Sequence, residues 1–350
     1  VRLLTKTQAS LLCQMKSLVA FIATASYVSI PLLLAPAMGI AATPPATQDD
    51  QVWRMPTPPE TEQKVVTLGQ QLFFDPRILG KQKTSCADCH HPGFSWSEPE
   101  LFEPQHTKSE QWMLSRQTPS LLNIYGYKSF FWDGRVDTSL TAAINRHIEV
   151  LASDVRYRSQ AFEWTYTAAF KASFGDTAEI SRIQIAQALA SYIATLSVND
   201  SPFDRWLAGK NNTFSPSAER GFRLFTGKAA CINCHQPPYF TDSGIHNIGL
   251  KSLDPGYYEV THSKKHNNAF RTPMLRQASR TMPYMHNGSL RQLSNVIAFY
   301  NQGGTLQGGG NTLKPLHLSK QEQADLLAFL LSLESPEAPA TIPPLPVTAQ

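Results

Sequence analysis

Residues 85–96 read SCADCHHPGFSW, and residues 231–235 read CINCH. In both stretches two cysteines stand three positions apart with a histidine directly after them: Cys86, Cys89 and His90, then Cys231, Cys234 and His235. Three positions are close to one helical turn. Two thiols so spaced can form thioethers with the two vinyl groups of one porphyrin. The next residue then lies under the ring, with its imidazole at the iron as proximal ligand. A zinc site from the same residues would crowd each histidine against its cysteine and would need four converging ligands. A thioredoxin-like dithiol calls for a neighbouring βαβ pattern, which the flanking sequence lacks. Occurring twice, the pattern points to two covalently bound haem c groups. His91, directly after the first ligand, is read as a bystander that points away from the iron.

The remaining cysteine fits this reading. Cys13 precedes an apolar run, SLVAFIATASYVSIPLLLAPAMGIAA, which has Arg2, Lys6 and Lys16 ahead of it and small residues at its end. Residues 1–42 are therefore expected to be an export signal cleaved near Ala42, with an uncleaved membrane anchor as the alternative. Cys13 is lost with the signal. Four cysteines in an exported chain suggest two disulfides by default, but the histidine after each pair argues for haem. The full chain carries 31 Lys+Arg against 27 Asp+Glu; removing the three basic residues of the signal leaves 28 against 27. A near-neutral mature chain gives no basis for nucleic-acid binding. At 350 residues, 42% hydrophobic and 17% charged, it is globular, with room for one large or two ordinary domains.

Blocks recur in order around the two attachment sites. GQQLFF (residues 69–74) and GFRLF (221–225) precede them. RQTPSLLN (116–123) and RTPMLRQ (271–277) follow, then FFWDG (130–134) and YMHNG (284–288). Such a register indicates an internal duplication, with Trp132 and His286 at equivalent positions. The periodicity is mainly helical. EISRIQIAQALASYIATLSV (179–198) places Ile180, Ile183, Leu189, Ile193 and Leu196 on one face. Ser215-Pro216 opens a helix expected to stop near Gly227. Ser319 opens a last one through a capping box with Glu322. The expected architecture is mainly α: two haem domains, 43–205 and 206–336, with long loops. The Pro/Ala-rich residues 337–350 are expected to be disordered.

Taken together, LFFDPR, SCADCH, RQTPSLLN, FFWDGR, SPFDRWLAG, LFTGKAACINCH, FRTPMLR and PYMHNGSL resemble the bacterial di-haem cytochrome c peroxidase/MauG family over residues 65–333. The resemblance implies two all-helical cytochrome c-like domains in the periplasm. The N-terminal haem meets hydrogen peroxide, the C-terminal haem relays electrons, and Trp132 bridges them. Fourteen residues after His286, where such peroxidases carry methionine and MauG-type members tyrosine, stands Tyr300. A phenolate is a hard anionic donor that lowers the iron's potential, whereas a thioether raises it. His106, sixteen residues after His90, lies where some peroxidases place a displaceable distal histidine.

The family's distal glutamate follows the tryptophan motif. Here the segment is VDTSLTAAINRHIEV, so Glu149 is the expected acid/base, three residues closer than usual, with Arg146 or His147 polarising peroxide. The family's glutamine falls on Ala142 or Ala143 and its proline on Arg146, a departure from the pattern. The resemblance also implies a calcium ion at Gln117, Thr281 and Pro283. Arg271 and Arg276 are the expected haem-propionate partners. Three functions follow. One is a peroxidase drawing electrons from a small periplasmic redox protein, a cytochrome c or a cupredoxin. Another is a MauG-like enzyme oxidising Trp or Tyr of a partner protein with peroxide-derived equivalents. The last is a non-catalytic di-haem electron carrier.

Overall fold

The structure, a computed structural model, describes residues 48–79, 84–98, 116–151, 160–176, 180–210, 212–306 and 310–347. The expected signal (1–42) and His106 lie outside the described residues. In the first half the helices are α1 (Gln63–Phe74), the single turn α2 (Cys86–Cys89), α3 (Leu140–Leu151), α4 (Gln160–Phe174) and α5 (Arg182–Ala194). Then come α6 (Pro202–Leu207), α7 (Pro216–Thr226), the short α8 (Tyr258–Thr261), α9 (Leu293–Gln302) and α10 (Lys320–Leu331). Strands β1 (Ile245–His246) and β2 (Phe270–Arg271) pair antiparallel, Ile245 opposite Arg271.

Two helix crossings organise these elements, and a glycine sits at each. Where α1 crosses α5, a Cβ on Gly69 would stand 1.9 Å from the Ala188 carbonyl oxygen. Where α7 crosses α10, one on Gly221 would stand 2.0 Å from that of Asp325. Only glycine allows backbones this close. These glycines open the matching blocks GQQLFF and GFRLF, so the duplicated sequence encodes duplicated packing. Around the first crossing, Leu68, Leu72, Phe73, Phe170, Leu189 and Ile193 form one buried core. Around the second, Phe203, Phe225, Phe240, Ile297, Leu326 and Phe329 form another.

Helix ends follow local chemistry. Ser215 caps α7, which stops at Gly227, and Ser319 and Glu322 form the reciprocal box that opens α10. The helix expected over 179–198 spans 182–194, and Ile183, expected on its buried face, is 47% exposed. The packed face is broader, running through Ile185, Ala186, Ala188, Leu189, Tyr192 and Ile193. No helix among the described residues is long and apolar enough to cross a membrane.

The C-terminal segment corrects the expectation of disorder. Residues 337–347 run back across the first half. Glu337 accepts hydrogen bonds from Ser95 Oγ and from Gln277 Nε2. Gln70 donates to the Thr341 carbonyl at 2.9 Å, Arg77 to that of Pro346 at 3.0 Å, and Ala340 packs on the first core. A proline-rich strand has few donors of its own, and here side chains on and just after α1 bond its carbonyls.

Candidate functional site

The two attachment sequences share one backbone hydrogen bond, from the histidine N–H to the carbonyl of the first cysteine. Ser85 opens α2, and its N–H and hydroxyl both donate to Asp88 Oδ2, at 2.6 and 3.0 Å. One turn on, the His90 N–H donates to the Cys86 carbonyl at 2.9 Å. In the second half a 3-10 turn over Cys231–Asn233 brings the His235 N–H to the Cys231 carbonyl at 2.8 Å. The four attachment cysteines are free of disulfides, and burial pushes the Cys86 and Cys231 thiols up to about 12.

Both histidines are tied through the ring nitrogen nearer the backbone. His90 Nδ1 lies 3.1 Å from the Pro119 carbonyl oxygen and 3.3 Å from that of Trp96; His235 Nδ1 lies 2.9 Å from the Phe240 carbonyl oxygen. An Nδ1–H donated to a carbonyl leaves Nε2 as the unprotonated, metal-facing atom. Burial depresses His90 to about 4 and holds His235 below its ordinary value, so both rings are neutral, the form that binds iron. His91 is occupied locally, its Nδ1 accepting from the Gly93 N–H at 3.0 Å.

One cavity is lined by Cys231, Cys234, His235, Tyr300, Trp132 and Arg271, so the structure brings the second attachment site, the expected tyrosine and the expected bridge together. Burial in that cavity raises the Tyr300 phenol further above its ordinary range. Arg271 is buried, its Nε on the Phe131 carbonyl at 3.0 Å and its guanidinium over the Tyr127 ring at 3.7 Å. No carboxylate among the described residues pairs with it. A buried cation so placed at a cavity wall suits an incoming carboxylate. Arg276 is different. Its guanidinium is 2.9 Å from both oxygens of Asp204 and donates through Nε to the Pro238 carbonyl at 2.8 Å. It lines the same cavity as Arg271, with its charge paired to Asp204. Gln117, Thr281 and Pro283 line the same cavity, and the Gln117 amide donates to the Glu98 carbonyl at 2.6 Å.

Trp132 is fixed at the meeting of the two halves. Its carbonyl accepts from the Arg271 N–H at 2.7 Å, and its indole N–H donates to the Gln117 carbonyl at 2.7 Å. Its ring centre lies 6.5 Å from that of its sequence counterpart His286, which stacks on Phe270 at 3.6 Å. The turn carrying Trp132 is anchored by buried charge. Asp133 pairs with Arg116 at 2.6 Å, and Arg116 pairs in turn with Asp254 at 2.6 and 2.9 Å. The RQTP and FFWDG motifs are thus two sides of one ion-paired joint.

The segment after Trp132 departs from expectation. Glu149 is paired with Arg146 at 2.8 Å and Arg182 at 3.5 Å, and its side chain is 43% exposed. The charge partners of Glu149 are thus Arg146 and Arg182, not a residue of the first attachment site. The residue that is presented there is His147, whose ring centre is 6.4 Å from that of His90. Helix geometry explains the difference, since two positions along a helix amount to about 200° of rotation. His147 continues the apolar stripe of Leu140, Ile144, Ile148 and Leu151, and a histidine in that stripe is the sequence signal for it. Among the described residues, the cluster able to hold a metal ion is Cys234, Asp242 and His246, and haem attachment consumes its sulfur.

Comparisons with known proteins agree with this geometry. The family profile of di-haem cytochrome c peroxidases matches residues 63–212, and that of cytochrome c matches residues 218–334. Methylamine utilization protein MauG of Methylorubrum extorquens is 36% identical over 297 residues, covering 82% of this chain and 83% of that protein. Cytochrome-c peroxidase IdrP1 of Denitromonas iodatirespirans is 37% identical over 321 residues, covering 80% and 83%. The crystal structure of a MauG-like protein associated with microbial copper homeostasis superposes with a TM-score of 0.67 at 25% identity, covering 81% of this chain and 92% of that one. With two haem c attachment sites on duplicated, mainly helical cytochrome c-type domains, the chain belongs to the di-haem cytochrome c peroxidase/MauG family of oxidoreductases.

Proposed function

We propose that this chain is an exported, periplasmic di-haem peroxidase. It reduces one hydrogen peroxide to two waters with two protons and two electrons, the electrons coming from a small redox protein, a cytochrome c or a cupredoxin. Cys86, Cys89 and His90 would hold the first haem, which would supply the redox chemistry with peroxide. His235 orients the second group, and Arg271 provides the buried cation for a propionate. Gln117, Thr281 and Pro283 are the oxygen donors for a calcium ion at the joint. The observation that carries the reading is Trp132, which lines the His235/Tyr300 cavity while bonded to the segment that follows the first attachment site.

Tyr300 favours a second reading on the same scaffold. Burial opposes ionisation of its phenol, and an iron(III) held there would offset that cost and give a low-potential second site. Such a site is poorly matched to a high-potential donor and suits oxidation of Trp or Tyr on a partner protein. The test is to mix the holoprotein with hydrogen peroxide and reduced cytochrome c or cupredoxin. Rapid, peroxide-dependent oxidation of the donor supports the peroxidase. Stoichiometric consumption of peroxide with the donor left reduced favours the protein-oxidising enzyme. A holoprotein inert to peroxide in every oxidation state is an electron carrier and overturns both readings.

A further inference from the structure

The imidazoles of His147 and His90 are neighbours at a separation that one shared metal ion would span. An imidazole nitrogen sits about 2 Å from a metal it binds, with the ring centre about 1 Å behind it, so two rings sharing one iron have centres roughly 6–6.5 Å apart. The observed separation is 6.4 Å, with the ring planes at 63°. A distal histidine that only hydrogen-bonded a peroxide oxygen would stand back by roughly another 2 Å. Around His147, Phe131 packs at 5.9 Å, and Nδ1 is buried without a hydrogen-bond partner. A buried imidazole nitrogen is rarely left unpaired unless another group completes its surroundings.

The duplication supplies an independent argument. α3 and α9 each follow the matching turn motif, FFWDG or YMHNG, and each begins with leucine. Counted from that leucine, His147 is the eighth residue of α3 and Tyr300 the eighth residue of α9, with Ile144 and Ile297 both fifth. Tyr300 lines the cavity of the second attachment site together with His235. His147 thus holds, over the first site, the position that Tyr300 holds over the second.

We propose that His147 is the distal axial ligand of the first haem, giving that iron two histidines, His90 and His147, in the resting protein. The inference rests on haem attachment at Cys86, Cys89 and His90 and deepens the peroxidase reading. The resting iron is closed, and peroxide reaches it only when His147 lets go. Phe131, next in sequence to Trp132 and packed against His147, connects that release to the bridge between the halves.

The experiment uses the ferric holoprotein with both haems verified by mass. Optical and EPR spectra of the unmutated protein set the reference number of high-spin haems per chain. In His147→Gly, one haem per chain is expected to become high-spin, to revert on addition of free imidazole, and to bind azide at least tenfold more tightly. An unchanged spectrum in a His147→Gly protein retaining both haems overturns the proposal. The peroxidase reading fails separately. If the opened variant shows the spin change yet ignores peroxide, His147 remains the ligand and the catalytic reading falls.

Discussion

The indole N–H of Trp132 donates to the backbone carbonyl of Gln117 at 2.7 Å. The N–H of Gln117 is itself bound to the His286 carbonyl at 2.8 Å. A single residue of the first half therefore clamps both members of the duplicated Trp132/His286 pair. That clamp gives the bridge one orientation relative to the second cavity.

Trp132→Phe keeps an aromatic ring and removes the donor to Gln117. The spectra of both haems are expected to be retained while peroxide-dependent turnover falls by at least about tenfold, a barrier increase of ~1.4 kcal/mol. Stopped-flow traces of donor oxidation beside static spectra check this. Unchanged turnover would show that electrons pass by another route.

Tyr300→Phe removes the phenol oxygen from the second cavity and leaves the ring. With the hard anionic donor gone, the second haem's optical bands should move and its reduction potential should rise. Spectroelectrochemical titration reads both. A second haem with the spectrum and potential of the unmutated protein would exclude Tyr300 as its ligand.

Gly69→Ala places a methyl 1.9 Å from the Ala188 carbonyl oxygen, so α1 and α5 must move apart. Destabilisation of about 2 kcal/mol or more is expected from forced overpacking. Thermal unfolding of the holoprotein measures it. A melting temperature within error of the unmutated protein's would mean the crossing is looser than described.

Asp325 joins α10 to α7. Arg220 donates to its two oxygens at 2.7 and 2.8 Å, and Ser217 donates at 2.6 Å. The Arg220 hydrogen bonds hold the carboxyl down to about 2, below its ordinary 3.8. A carboxyl depressed in the folded state stabilises it above the unfolded value, and that contribution disappears as pH falls through the folded one. Asp325→Asn should therefore be less stable than the unmutated protein at neutral pH, with the gap closing between about pH 4 and pH 2. Denaturation curves across that range decide it, and a gap independent of pH would assign the loss to packing.

Much of the site was legible because haem attachment is local chemistry. Cys86, Cys89 and His90 lie within five consecutive positions, and one turn of backbone is enough to present them. The helix caps at Ser215 and Ser319 are local for the same reason. Trp132 and Tyr300 were reached through the register of the repeat and the family resemblance, and they share one cavity. The ion pair of Arg276 was not legible because its counter-charge, Asp204, lies 72 residues away in sequence. The C-terminal tail was misread because its partners are side chains on and just after α1, more than 260 residues earlier.

The amino-acid sequence by itself determined the two haem sites, the duplicated helical frame and the glycines that let its helices cross, since each depends on spacing or on residue type at one position. Only the tertiary structure decided which face of α3 looks at His90. The segment NRHIEV offers an arginine, a histidine and a glutamate within four residues, and chemistry alone would accept any of them beside peroxide. Packing of Leu140, Ile144, Ile148 and Leu151 into the first core sets the rotation of the helix. That rotation turns Glu149 to Arg146 and Arg182 and leaves His147 beside His90.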